Sequence, residues 1–186
     1  MSSPIIAPMA RILLGIIFVA VVATVGDYVW FEIGIRHRAT AGALHGALLL
    51  GSVGLVLGWI AGRVLAGLLA GIAAGVGGAA AYYAMASAAS ARSDTFPAMV
   101  AAWAAVWLVL AACDGRLLRR HAPRSWSEIL TRGILAAVLG GLAFYAVLNV
   151  IWGAPPAEGR SYMLQFAAWM LAWAPGIIAI AGTRPK

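Results

Sequence analysis

Between Arg38 and Arg92 the only formally charged residue is Arg63, and its neighbours on both sides are mostly Ala, Gly, Leu, Ile and Val. So long a stretch leaves few folds open. In water it would need a core larger than a chain of 186 residues can enclose, because small domains keep much of their surface exposed. In a bilayer it divides into two helices, each needing about 20 apolar residues to cross the hydrocarbon. The rest of the chain agrees: 63% of residues are apolar and 10% charged, with a mean hydropathy of +0.94. The sequence therefore describes an integral membrane protein. Its 22 glycines and abundant alanine suit closely packed spanning helices, whereas a β-barrel would alternate polar and apolar positions.

Six apolar segments follow, at about residues 12–31, 41–61, 64–85, 98–113, 127–152 and 161–181. They predict one domain, an all-α bundle of six transmembrane helices. Residues 1–10 lead into a full-length span, so a cleaved signal peptide is not expected. Gly62 and Arg63 make the turn between the second and third segments. Pro97 opens the fourth, where a missing N–H costs nothing, and Asp114 and Gly115 end it. Ser125 and Glu128 have capping-box spacing and start the fifth helix near Trp126. The sequence GAPPAEGR breaks that helix after Trp152, and Pro175 is expected to kink the sixth.

With six spans the charges sort by side. Arg11, Arg63, Arg116, Arg119, Arg120, Arg124, Arg132, Arg184 and Lys186 share one side with Asp114 and Glu128. Arg36, Arg38, Arg92 and Arg160 share the other with Asp27, Glu32, Asp94 and Glu158. The whole net charge of +7 thus falls on one face. By the positive-inside rule both termini and the basic loop at 114–132 are expected to be cytoplasmic. That face either sets topology alone or also attracts anionic headgroups. Nucleic acid is excluded as a partner, since no stacking aromatics interleave the arginines.

Glycines recur at intervals of four, at Gly54, Gly58 and Gly62 and again at Gly67, Gly71 and Gly75. Such ridges let backbones approach closely, in one chain or between copies in a homo-oligomer. Cys113 is the single cysteine, which rules out an internal disulfide. Polar residues within spans are fewer and more telling. Asp27 and His45 lie at matching depth near the outer end, with Asn149, Gln165, Tyr82 and Tyr83 at a similar level. This cluster is a helix clamp, a small-ligand site or the centre of a small membrane enzyme or transporter. No metal is expected, because Asp27, Glu32, His37 and His45 lack metalloprotease-like spacing. Trp103 and Trp107 are four apart on the fourth span, as are Trp169 and Trp173 on the sixth, so each pair shares a helix face. They read as packing bulk against the glycine ridges or as the wall of an intramembrane cavity. Trp30, Trp59, Trp126 and Trp152 read as interfacial anchors.

AAWAAVWLVLAACDGRLLRR carries tryptophan and ends in an aspartate followed by arginines. FYAVLNVIW, a short loop and RSY then open the last span, which contains a proline. This order resembles the Insig family, the insulin-induced gene products. The resemblance implies six helices around a lipid cavity, no enzymatic activity and no cofactor, with Asp114 at the position of the family's functional aspartate and so a partner-binding candidate; by its neighbours alone it reads as a group that caps or neutralises Arg116, Arg119 and Arg120. In animals that family retains a sterol-sensing escort protein in the endoplasmic reticulum. The Ala, Gly and Arg bias with one lysine suggests a GC-rich bacterial genome, where the scaffold and a lipid cavity are what carries over. The expected function is binding of a neutral lipid or sterol-like molecule, such as a diacylglycerol, by Trp103, Trp107, Trp169, Trp173, Asp27, His45, Asn149 and Gln165.

Overall fold

A computed structural model describes residues 6–33, 38–88, 96–147 and 161–182, with side-chain surroundings for 8–29, 46–85, 97–147 and 161–182. The described chain forms α1 (Ile6–Ile33), α2 (Arg38–Ile60), α3 (Val64–Ala88), α4 (Phe96–Cys113), α5 (Trp126–Ala146) and α6 (Tyr162–Ala181). No strand occurs among the described residues. Five of these helices are long and apolar enough to cross a membrane. In α2 the corresponding apolar stretch among the described residues is Gly46–Ile60. The chain is a multi-pass membrane protein.

Each helix packs on its neighbours in sequence, and α6 returns to α1, so the six close into a ring. The interior is filled by Val19, Ala20 and Ala23 of α1, Val53 and Leu57 of α2, and Ala74 of α3. Trp107 and Leu110 of α4, Ala136 of α5, and Ile177 and Ile180 of α6 complete it. Large apolar side chains also cover the outside: Leu13, Leu14, Leu65, Leu69, Val76, Leu142 and Leu171 are exposed. In water this surface would aggregate; lipid is its proper solvent.

Lipid also removes the hydrophobic drive between helices, so contact depends on close approach. The glycine ridges of α2 and α3 provide it by facing each other. A β-carbon on Gly54 would lie 2.8 Å from Cα of Gly71, and one on Gly67 would lie 2.5 Å from Cα of Gly58. Those four glycines are consumed within one helical hairpin, not offered to a second copy. Gly62, at φ +71°, makes the turn that joins it, a backbone region where L side chains are strained.

The end of α4 departs from expectation. The α-helix stops at Cys113, but the chain does not leave the bundle at Asp114 and Gly115. It continues as one π turn over Asp114–Leu118, closed by the Arg119 N–H donating to the Asp114 carbonyl at 3.1 Å. The Arg124 N–H then donates to the Gly115 carbonyl at 3.1 Å, folding the loop back over that turn. Gly115 is required because the Ile129 side chain would lie 2.5 Å from any β-carbon there. The wider turn directs Asp114 inward. Ser125 caps α5 as expected, accepting from the Glu128 N–H at 3.2 Å. The expected extension of the fifth helix to residue 152 lies outside the described residues. Pro175 lies within α6, which runs on to Ala181.

Candidate functional site

Three groups of polar and aromatic side chains stack along the axis of the ring. At the end where α1 finishes and α6 begins, the Asp27 carboxylate accepts two hydrogen bonds on Oδ2. Gln165 Nε2 donates at 2.5 Å and Trp169 Nε1 at 2.7 Å. One turn of α6 separates these donors, so a single helix face presents both. Beside them Tyr28 and Tyr162 meet edge to face at 5.3 Å. Asp27 and Gln165 therefore meet as the sequence suggested, and this pairing makes α1 and α6 antiparallel. Tyr82 and Tyr83 pack edge to face on each other at 5.6 Å. The His45 and Asn149 side chains, with Trp30, Glu32, His37 and Trp152, lie outside the described residues.

The middle group joins the two tryptophan pairs. Trp103 lies 5.2 Å from Trp173 and stacks on Phe144 of α5 at 4.9 Å. Trp107 lies 5.6 Å from Trp173, and Trp169 lies 6.3 Å from Phe144. Trp107 is fully buried, with Trp169 at 5% and Trp173 at 2% exposure. The rings pack on one another, so they fill the interior between α4, α5 and α6. Their glycine partners are not on α2 or α3. A β-carbon on Gly176 would fall 2.7 Å from Trp107 Cε2, and one on Gly140 would fall 3.1 Å from Trp107 Nε1. Gly176 and Gly140 are thus the seat of Trp107. Among the described residues the buried indole N–H groups of Trp103, Trp107 and Trp173 meet no acceptor. An unpaired N–H costs most in a low-dielectric interior. Three together make a donor-rich spot within an apolar wall.

At the opposite end an ionic network ties the 114–132 loop to the last turn of α6. Asp114 is 1% exposed. Its Oδ2 accepts from Arg124 Nη1 at 2.5 Å and from Arg119 Nε at 3.0 Å. Its partners are therefore Arg119 and Arg124, not Arg116 or Arg120. Arg124 Nη1 also donates to the Ile180 carbonyl at 2.8 Å, and Arg124 Nε pairs with Glu128 at 3.3 Å. Arg132 pairs with Glu128 at 3.0 Å and donates to the carbonyls of Ala179 at 3.0 Å and Gly182 at 2.6 Å. Two guanidinium groups thus hold the unpaired carbonyls and the negative dipole end of α6. Burial pushes the Arg124 guanidinium down to about 10, against the opposing pull of Asp114. It remains charged at neutral pH.

Glu128 and Arg132 are legible in the sequence as a spacing of four on one face of α5, while Arg124 joins them from just before the Ser125 cap. The target of the two arginines, the end of α6, is not legible there. The same holds for the bond from Trp169 to Asp27: the sequence marks both residues but not their partnership. No family model matches the chain, and no curated protein or solved structure matches it.

Proposed function

We propose that this chain is a non-enzymatic, Insig-like inner-membrane protein of six spans that binds a neutral lipid or sterol-like molecule between its helices. Both termini and the basic loop are cytoplasmic, and Asp114 belongs to the end that a membrane-protein partner or second copy would meet. The observation that carries the reading is the trio of buried indole N–H groups on Trp103, Trp107 and Trp173. Ester carbonyls of a diacylglycerol, or a sterol hydroxyl, would give these donors the acceptors they lack, while the acyl or ring body met Phe144 and Trp169. Access requires the α4 and α6 rings to part. Pro175 favours that movement, because it has no N–H to complete the helix ladder at that turn.

The orientation is supported by charge. Asp27 meets Gln165 at one end, whereas Arg124 and Arg132 meet the last turn of α6 at the other. Arg63 donates to the Leu117 carbonyl, which brings the α2–α3 turn to that second end. Arg63, Arg116, Arg119, Arg120, Arg124 and Arg132 share an end with Asp114 and Glu128, and under the positive-inside rule this excess of arginine supports a cytoplasmic placement.

Native mass spectrometry of the gently purified chain, titrated with diacylglycerols and sterols, tests the proposal. Saturable binding is expected, weakened about fivefold by Trp107→Phe, which keeps the ring but removes one donor worth about 1 kcal/mol. Absence of saturable binding to either lipid class sinks it. If Asp27→Asn instead abolishes lipid turnover or solute flux while the melting temperature holds, the chain is an enzyme or transporter.

A further inference from the structure

We propose that Arg116, held over Trp126, and the exposed Arg120 four residues on form a binding site for the phosphate group of an anionic phospholipid in the leaflet at the basic end. The site is separate from the intramembrane ligand position and does not depend on it.

The inner network accounts for some of the loop's cations and leaves others. Asp114 engages Arg124 and Arg119, and Glu128 engages Arg124 and Arg132. Arg116 and Arg120 are exposed and have no carboxylate partner among the described residues. The Arg116 guanidinium lies over the Trp126 ring at 4.5 Å. That contact holds the cation over an aromatic face and leaves its N–H edge free to bond. Leu117 is 50% and Trp126 58% exposed, so apolar side chains flank the arginines.

Depth then selects the ligand. The apolar span containing α4 ends at Leu118, and that of α5 begins at Trp126. Arg116 and Arg120 therefore bracket the boundary between hydrocarbon and headgroups, where lipid phosphates lie. Planar guanidinium forks match phosphate oxygens, and the exposed Leu117 and Trp126 suit the adjoining acyl chains. A soluble anion would have no use for those apolar flanks.

The test uses the full-length protein in nanodiscs and in native mass spectrometry, with phosphatidylglycerol and phosphatidylcholine of identical acyl chains. Phosphatidylglycerol is expected to be retained preferentially. The double variant Arg116→Gln/Arg120→Gln should lower its affinity about thirtyfold, from roughly fivefold per juxtamembrane arginine. The melting temperature should not change, because neither residue belongs to the Asp114 network. Arg116→Lys/Arg120→Lys, which preserves charge and folding, should fall between. Equal retention of phosphatidylcholine, or an unchanged double variant, overturns the proposal. So does an equal loss from Arg11→Gln, which would indicate the general field of the basic face. Displacement by millimolar inorganic phosphate or by an acidic peptide would also overturn it, as the mark of a soluble anion or protein site.

Discussion

Asp27 and Asp114 sit at opposite ends of the ring, and each joins helices distant in sequence, but by different chemistry. Asp27 receives neutral donors from Gln165 and Trp169. Asp114 receives guanidinium groups from Arg119 and Arg124. Replacing Asp114 by Asn should therefore cost about 3 kcal/mol, since it leaves Arg124 buried without its counter-charge. Thermal unfolding in detergent measures this, and an unchanged midpoint would mean the pair contributes nothing net. Arg124→Lys keeps the charge but loses the fork that reaches Asp114, Ile180 and Glu128 together. It should therefore destabilise at neutral pH, where the arginine itself is fully protonated, its value being about 10. Because burial lowers that value, the unfolded chain holds this proton more tightly from about 10 up to the ordinary arginine range. The Arg124 contribution therefore rises, not falls, as pH climbs through that window. Below it, stability should not vary through this group. At the other end Gln165→Leu removes one side-chain hydrogen bond of about 0.6 kcal/mol, the usual size within membranes. A double-mutant cycle with Asp27→Asn would isolate it.

Among the elements, the α2–α3 hairpin and the Trp107 seat depend most on glycine. Gly67→Ala should destabilise by about 2 kcal/mol, because the added methyl meets the backbone of Gly54 and Gly58, which cannot move aside. Gly46→Ala is the matched control. Nothing lies within 4 Å of its position, and alanine is the better helix former. Comparable melting temperatures for the two variants would refute the close approach. Both ridges were legible as spacing in the sequence, since intervals of four place residues on one face. The seats of Trp107 at Gly140 and Gly176 were not, because each glycine is isolated from the ridges and meaningful only beside an indole from another helix. The π turn at Asp114 was also hidden. Aspartate followed by glycine reads locally as a helix stop, and Ile129 against Gly115, with the Arg124 bonds to Gly115 and Asp114, keeps the chain in the bundle.

At the scale of the whole molecule, each helix lies against its neighbours in sequence and α6 returns to α1, which gives the ring its order. Substituting cysteine at His121 and at Ser161, in a Cys113→Ala background, tests the topology. A membrane-impermeant thiol reagent should reach them from opposite sides of sealed vesicles, with position 121 cytoplasmic. Labelling of both from one side would overturn the arrangement. The sequence alone determined the membrane class, most of the apolar segments and the chemically distinctive residues. Each of these depends on local composition or helical period. Tertiary structure decided which of those residues meet: Asp27 with Trp169, Asp114 with Arg124, and Arg132 with the last carbonyls of α6. It also turned four tryptophans into one packed cluster with three unpaired donors. Such pairings depend on helix rotation and depth, which are set by packing across the whole ring, so no single segment encodes them.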